Sequence, residues 1–264
     1  MPPELPATAG PPEAAPPAVW RAWYERWNRF QEAYVPHRAK QFGVMADYVS
    51  LWWGEGAVRA LDLASGPGCV AEHLLRALPG ARVDALDCDP WLLEMGRQAL
   101  AGENRLRWVD ADLRDGGWKD LLPSPAYEAV LSATALHWLT ADELRRTYGV
   151  LAEILVEDGL FLNADIMTSG TPAVGRLSHG ALERWRAGAL AGPGGEAWHA
   201  FWGEAAREPA FGELLDERDR RLGPRRPFMP PTLDFHRDAL MAAGFREVGE
   251  VWRCHSTAIL IAIR

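Results

Sequence analysis

Between residues 58 and 166, short apolar runs alternate with amphipathic stretches. Residues 58–63 read as a short buried strand. Residues 69–78 carry apolar positions at helical spacing and are stopped by Pro79-Gly80. Residues 82–87 read as a second strand, and Pro90 opens a helix to about residue 100. Residues 106–109 and 127–132 read as further strands. Thr140 is a helix N-cap for a segment ending near residue 156, and Asp158-Gly159 turns into a strand over 160–165. This alternation predicts an α/β fold, a doubly wound and mostly parallel sheet covered on both faces.

The flanks follow different patterns. Trp20, Trp23, Trp27, Phe30 and Tyr34 recur at steps of three and four, which places one aromatic stripe on a helix. Pro36 interrupts, and a second helix is expected over residues 37–53. Residues 167–232 break the alternation and include Trp185, Trp198 and Trp202. That stretch is too long for an ordinary loop and reads as a helical insert. Residues 234–243 look helical with Gly244 as the stop. Residues 245–253 and 256–263 then read as an antiparallel strand pair. The expected organisation is a Pro-rich disordered tail over 1–18, with seven of the 20 prolines, and an N-terminal helical cap over 19–56. A core follows over 57–166 and 233–264, and the insert over 167–232 is the expected acceptor lid.

Composition narrows the partners. The 264 residues are 48% apolar, enough for a sizeable core, and the net charge is −8. That balance weighs against a nucleic-acid partner, whose phosphates need Lys and Arg. The late apolar run over 258–263 is far short of the roughly 20 residues of a membrane helix, and no secretory pattern precedes Arg21. Cys69, Cys88 and Cys254 are far apart and fit free thiols. The reading is a cytoplasmic protein, monomer or homodimer, without membrane or nucleic-acid partner. No His/Cys/Asp cluster has metal-site spacing.

The chemistry concentrates at Leu61-Asp62-Leu63-Ala64-Ser65-Gly66-Pro67-Gly68, after a strand and before a helix. Glycines there let a ligand approach the backbone, and the helix N-terminus offers unpaired N–H groups. Gly66, Gly68 and Ala71 also fit the dinucleotide pattern G-x-G-x-x-A. The neighbouring acids point elsewhere. Asp62 would repel a pyrophosphate but suits an ammonium group. Asp87 ends the next strand, where an adenosine ribose is held by its hydroxyls. Asp112 follows the third strand, placed to accept from an adenine amino group.

This set resembles the class I, Rossmann-like S-adenosylmethionine-dependent methyltransferases of small-molecule type. The first motif is 61–68, with Ala64 where Gly is commoner. Asp87-Cys88-Asp89-Pro90, Val109-Asp110-Ala111-Asp112 and residues 127–132 with Ala135-Leu136-His137-Trp138 resemble the second, third and fourth strand motifs. Asp158-Gly159-Leu160-Phe161-Leu162 resembles the fifth-strand entry without its usual Pro, and Ala243-Gly244-Phe245 the turn into a reversed last pair. The resemblance implies a seven-stranded sheet with a reversed last strand and S-adenosyl-L-methionine as cofactor. Asp62, Ala64, Ser65, Gly66 and Gly68 would hold its amino-acid end, with Arg38 on its carboxylate. Asp87 would take the ribose, and Cys88 and Leu92 would line the adenine. Asp112 and Leu113 would contact the adenine edge, and Ser132, Ala133 and Thr134 would lie near the sulfonium.

The expected reaction is in-line methyl transfer to a small, apolar or aromatic acceptor. A non-methylating member of the fold and a nicotinamide-dependent reductase are the alternatives. His137 is the candidate base, against a structural role beside Trp138. Trp23, Trp27, Tyr34, Trp138 and Trp185 are the candidate acceptor-lining aromatics, against plain packing.

Overall fold

The computed structural model describes residues 15–54, 56–193, 195–224 and 230–264. Most of the Pro-rich tail, residues 1–14, lies outside the described residues. Pro17 and Ala18, assigned from sequence to that tail, belong instead to helix α1 (Pro17–Glu32). A first-turn N–H has no partner within the helix, so a proline there costs nothing.

Helix α2 spans Arg38–Trp53. Then strands and helices alternate as β1 (Arg59–Leu63), α3 (Cys69–Ala77), β2 (Arg82–Asp87), α4 (Pro90–Ala99), β3 (Leu106–Asp110), β4 (Tyr127–Ala133), α5 (Ala141–Ile154) and β5 (Leu155–Ile166). Helices α6 (Pro172–Ala191), α7 (Trp198–Ala205) and α8 (Gly212–Leu222) fill the expected insert. Helix α9 (Leu233–Ala242) leads to β6 (Glu247–Cys254) and β7 (Thr257–Ile263). The sheet has seven strands in the order β3-β2-β1-β4-β5-β7-β6, with β7 antiparallel to both neighbours.

That order places the site. The chain builds outward from β1 to β2 and β3, then returns to β4 on the other side of β1. Crevices for ligands open at the carboxyl ends of strands where the order reverses. Here the reversal lies between β1 and β4, paired in parallel from Ala60↔Ala129 to Asp62↔Leu131.

Helices α1 to α4 cover one sheet face and α5 and α9 the other. The aromatic stripe of α1 does not face a cavity. Trp20, Trp23, Trp27 and Phe30 are buried around Trp91 of α4, together with Phe201 and Phe211. Phe30 and Phe201 stack at 4.4 Å. This cluster ties α1 and the segment after β5 onto α4. Trp91 is fully buried at its centre.

One strand boundary differs from the sequence reading. Strand β5 begins at Leu155, opposite Tyr127, rather than after Asp158-Gly159. The register shifts before Leu160 meets Ala129. The Asp158-Gly159 turn is thus an irregularity within the pairing, with Asp158 left-handed at φ 62.

Candidate functional site

The turn after β1 is fixed by backbone and side chain together. The Ser65 N–H donates to the Leu86 carbonyl, and the Gly68 N–H to the Ser65 carbonyl. Ala64, Gly66 and Gly68 are left-handed at φ 54, 54 and 79. Only glycine takes that conformation without a Cβ penalty, so Ala64 carries strain, and strain of this kind clusters at functional sites. Across the switch point, Thr134 at the end of β4 is also left-handed at φ 54, its N–H donating to the Ala164 carbonyl. Ser132 donates its hydroxyl to the Leu63 carbonyl at 2.8 Å, fastening β4 to β1 just below the turn. The backbone is packed closely here: a Cβ on Gly96 of α4 would lie 2.8 Å from the Pro67 carbonyl oxygen.

Asp62 is buried at the end of β1. Its Oδ2 accepts the Ala71 N–H at 2.9 Å, so it supports the first turn of α3. Its Oδ1 has no partner among the described residues, and neither has the buried Nε of Arg38. Burial raises the Asp62 carboxyl to about 7, with the Ala71 N–H and the Arg38 charge pulling down and Asp87 pushing up. Arg38 gives its Nη1 to Asn28 at 2.7 Å and lies over the Phe42 ring at 4.6 Å. A buried acceptor and a buried donor, both unpartnered and within each other's field, fit the ammonium and carboxylate of an amino acid. The residues present therefore fit the methionine end of the expected cofactor.

The other end of the crevice is built differently. Asp87 accepts the Gly66 N–H at 2.7 Å and the Asp89 N–H at 2.8 Å. Burial, then the Asp89 charge, raises its carboxyl to about 6. Asp89 caps α4, accepting from the N–H groups of Trp91 and Leu92. It also takes Nε of Arg218 at 2.6 Å. Asp112 does not stand open for an adenine amino group. It holds Arg114 in a bidentate pair, and that guanidinium outweighs burial to keep the carboxyl below its ordinary range. Arg114 donates on to the Arg221 carbonyl at 2.8 Å, and Arg221 pairs with Asp110 at 2.6 Å. Helix α8 is thus clasped by arginines to the ends of β2 and β3. Leu92 and Leu113 are buried beside this edge, and Cys88 is half-buried with its thiol raised by burial and by Asp87.

His137 and Trp138 sit on a short helical turn after β4, ring centroids 4.9 Å apart. The sequence reading did not include Asp165, at the end of β5. Its Oδ1 lies 2.6 Å from His137 Nδ1, and its Oδ2 accepts the His137 N–H at 3.1 Å. The only signal in the sequence was a carboxylate near the end of a largely apolar strand. Trp23 and Trp27 were expected to line an acceptor pocket. They are instead buried in the α1–α4 aromatic cluster, because a shared aromatic core buries more apolar surface than a lid face would. Tyr34 extends the cluster beside Phe30 and Trp198 and donates to the Glu196 carbonyl. Trp185 is half-buried on α6. Among the described residues no group of three metal-ligating side chains converges, and no helix is long and apolar enough to cross a membrane.

Residues 60–159 match the family model of a methyltransferase domain. That stretch runs from β1 into β5 and is similar to a methyltransferase domain. The likeness to methyltransferases supports S-adenosylmethionine as the cofactor. The chain is 37% identical over 107 residues to a trans-aconitate 2-methyltransferase of Mycobacterium tuberculosis. That match covers 40% of this chain and 36% of the relative, so it spans little more than a third of the relative's length. Among solved structures it resembles a putative O-methyltransferase from Nostoc punctiforme, with TM-score 0.57 and 13% identity over 93% of this chain and 60% of that one. It also resembles human N-acetylserotonin methyltransferase in complex with S-adenosylmethionine. There the TM-score is 0.50 and the identity 13%, over 93% of this chain and 67% of that one. At these identities the two structures establish the methyltransferase fold.

Proposed function

We propose that this chain transfers a methyl group from S-adenosylmethionine to a small organic acceptor by in-line displacement. The observation that carries the reading is the Asp62 Oδ1 and the Arg38 Nε, both buried and without a partner among the described residues, with the Arg38 charge acting on Asp62. That pair is complementary to an amino-acid zwitterion and not to a pyrophosphate. In this reading Asp62 takes the ammonium and Arg38 the carboxylate. The turn of Ala64, Ser65, Gly66 and Gly68 passes under the amino-acid portion, and Asp87 takes the ribose hydroxyls. Cys88 and Leu92 face the adenine, and Leu113 its edge. Ser132, Ala133 and Thr134 flank the sulfonium. When bound, the cofactor supplies an electrophilic methyl carbon. The protein's share is alignment and exclusion of water, which give large effective concentrations.

The acceptor belongs at the carboxyl ends of β4 and β5, beside His137 and Trp138, with Trp138 as an aromatic wall. Helices α6 to α8 act as its cover, held to α4 through the aromatic cluster around Trp91. Calorimetry with S-adenosylhomocysteine tests the first half of the proposal, and release of that product from S-adenosylmethionine over an acceptor panel tests the second. Tight NADH binding without S-adenosylhomocysteine binding would refute it. Product binding without any turnover would leave a non-methylating member of the fold.

A further inference from the structure

The pair at the ends of β4 and β5 carries an inference about the acceptor, resting on the methyl-transfer reading above. Asp165 is 1% exposed. It receives three hydrogen bonds: His137 Nδ1 at 2.6 Å and the Ile166 N–H at 2.7 Å on Oδ1, and the His137 N–H at 3.1 Å on Oδ2. One carboxylate therefore fixes both the ring and the backbone of His137. A carboxylate only accepts, so the ring proton lies on Nδ1 and the lone pair on Nε2.

The other titratable groups facing Asp165 are neutral. His236 of α9 is buried with its Nδ1 2.6 Å from the Tyr148 hydroxyl of α5. Burial lowers His236 to about 4 and raises Tyr148 well above its ordinary value. Among the described residues, the ion-pair partner of Asp165 is His137. A buried carboxylate without a cation is costly, and an imidazolium formed at His137 would relieve that cost. This is the arrangement of a base held by an acid.

We infer that Asp165 is a positioning residue holding His137 with Nε2 as proton acceptor, and that the methyl acceptor is a hydroxyl group. As the acceptor oxygen forms its bond to the methyl carbon, the S–C bond breaks and its electron pair stays on sulfur. The hydroxyl proton passes to Nε2 of His137, leaving an imidazolium that later gives it to water. A carboxylate acceptor is already ionised at neutral pH, needs no base and meets the Asp165 charge unfavourably. A phenolic hydroxyl, with an ordinary pKa near 10, needs its proton removed.

The test uses S-adenosylmethionine with the hydroxyl probes catechol, 1-naphthol and kojic acid against the carboxylates benzoate, 1-naphthoate and trans-aconitate. Turnover is expected on hydroxyl probes. Asp165→Asn and His137→Gln should each lower kcat by about 100-fold or more, the general-base range. KM should change less than about threefold, and the acid limb of the wild-type kcat–pH profile should disappear. S-adenosylhomocysteine affinity within about threefold of wild type certifies each fold, and His137→Gln keeps the test if Asp165→Asn does not fold. In nitrogen-15 spectra at pH 8 the His137 ring should carry its proton on Nδ1 alone. Turnover of carboxylates only or of no probe, an unchanged kcat profile in either folded variant, or a proton on Nε2 overturns the inference. Failure of the wild type to bind S-adenosylhomocysteine sinks the methyl-transfer reading instead.

Discussion

The two ends of the switch-point crevice satisfy their buried charges in opposite ways. At the β1 end, Asp62 and Arg38 each keep one buried polar atom without a partner among the described residues. At the β2–β3 end, every acid has a protein partner. Asp87 takes two backbone N–H groups, Asp89 takes Arg218, Asp110 takes Arg221 and Asp112 takes Arg114. The first end keeps hydrogen-bonding capacity that a ligand can use. The second end is a closed network that includes α8. A ligand gains most where it satisfies atoms the protein leaves bare, and less where it must displace an existing bond.

Substitutions should separate the two ends. Asp62→Asn keeps an oxygen for the Ala71 N–H but removes the charge meant for an ammonium. It should weaken S-adenosylhomocysteine by about 100-fold or more in calorimetry, the scale of breaking a buried ion pair. Asp112→Asn, losing only a shared acceptor, should weaken it by less than about fivefold. Equal losses at the two positions would erase the contrast. Asp87→Ala should fall between, at about tenfold or more, because it removes ribose acceptors and the Gly66 anchor together.

The pH dependence sharpens the same point. In the free protein the Asp62 carboxyl is raised to about 7 and Asp87 to about 6. Facing an ammonium, Asp62 must be ionised, so binding below pH 7 expels a proton. Affinity should therefore rise as pH rises from 5 to 7, by at most about tenfold per unit for one proton, and flatten above. Calorimetry in buffers of different ionisation enthalpy counts the proton. An affinity that falls over that range would contradict a charged Asp62 in the complex.

The clasp should give a smaller effect. Replacing Arg221 by Ala removes its partly exposed pairs with Asp110 and Glu217, worth about 0–1 kcal/mol each. Product affinity should change by less than about tenfold while its dependence on salt weakens, measured across a sodium chloride series. The smallest effect is expected at Ala64→Gly. Relief of the left-handed Ala64 is offset by glycine's extra freedom in the unfolded chain, so the melting free energy should move by no more than about 1 kcal/mol.

Much of this was readable along the chain. The strands of the core fell close to their observed bounds, because buried parallel strands and amphipathic helices have different periods. Asp62, Asp87 and the glycine turn were singled out because strand-end acids beside a Gly-rich turn are a local pattern. Asp165 was not found, because its meaning comes from His137, 28 positions away in sequence and adjacent only through the β4–β5 pairing. The clasp of α8 was invisible for the same reason: Arg218 and Asp89 are 129 positions apart. Trp23 and Trp27 were misread because a stripe shows which face is buried, not what buries it.

The sequence by itself determined the order of the elements, the reversed last pair and the acids at the ends of β1 and β2. These follow from the spacing of apolar positions and from turn chemistry within a few residues. The tertiary structure decided which charges were matched and which left bare. It sent the α1 stripe into Trp91, gave Asp112 to Arg114, joined α8 to the ends of β2 and β3 and set Asp165 behind His137. Those outcomes depend on distances between segments far apart in the chain, and hydrogen bonds and ion pairs act only over a few ångströms.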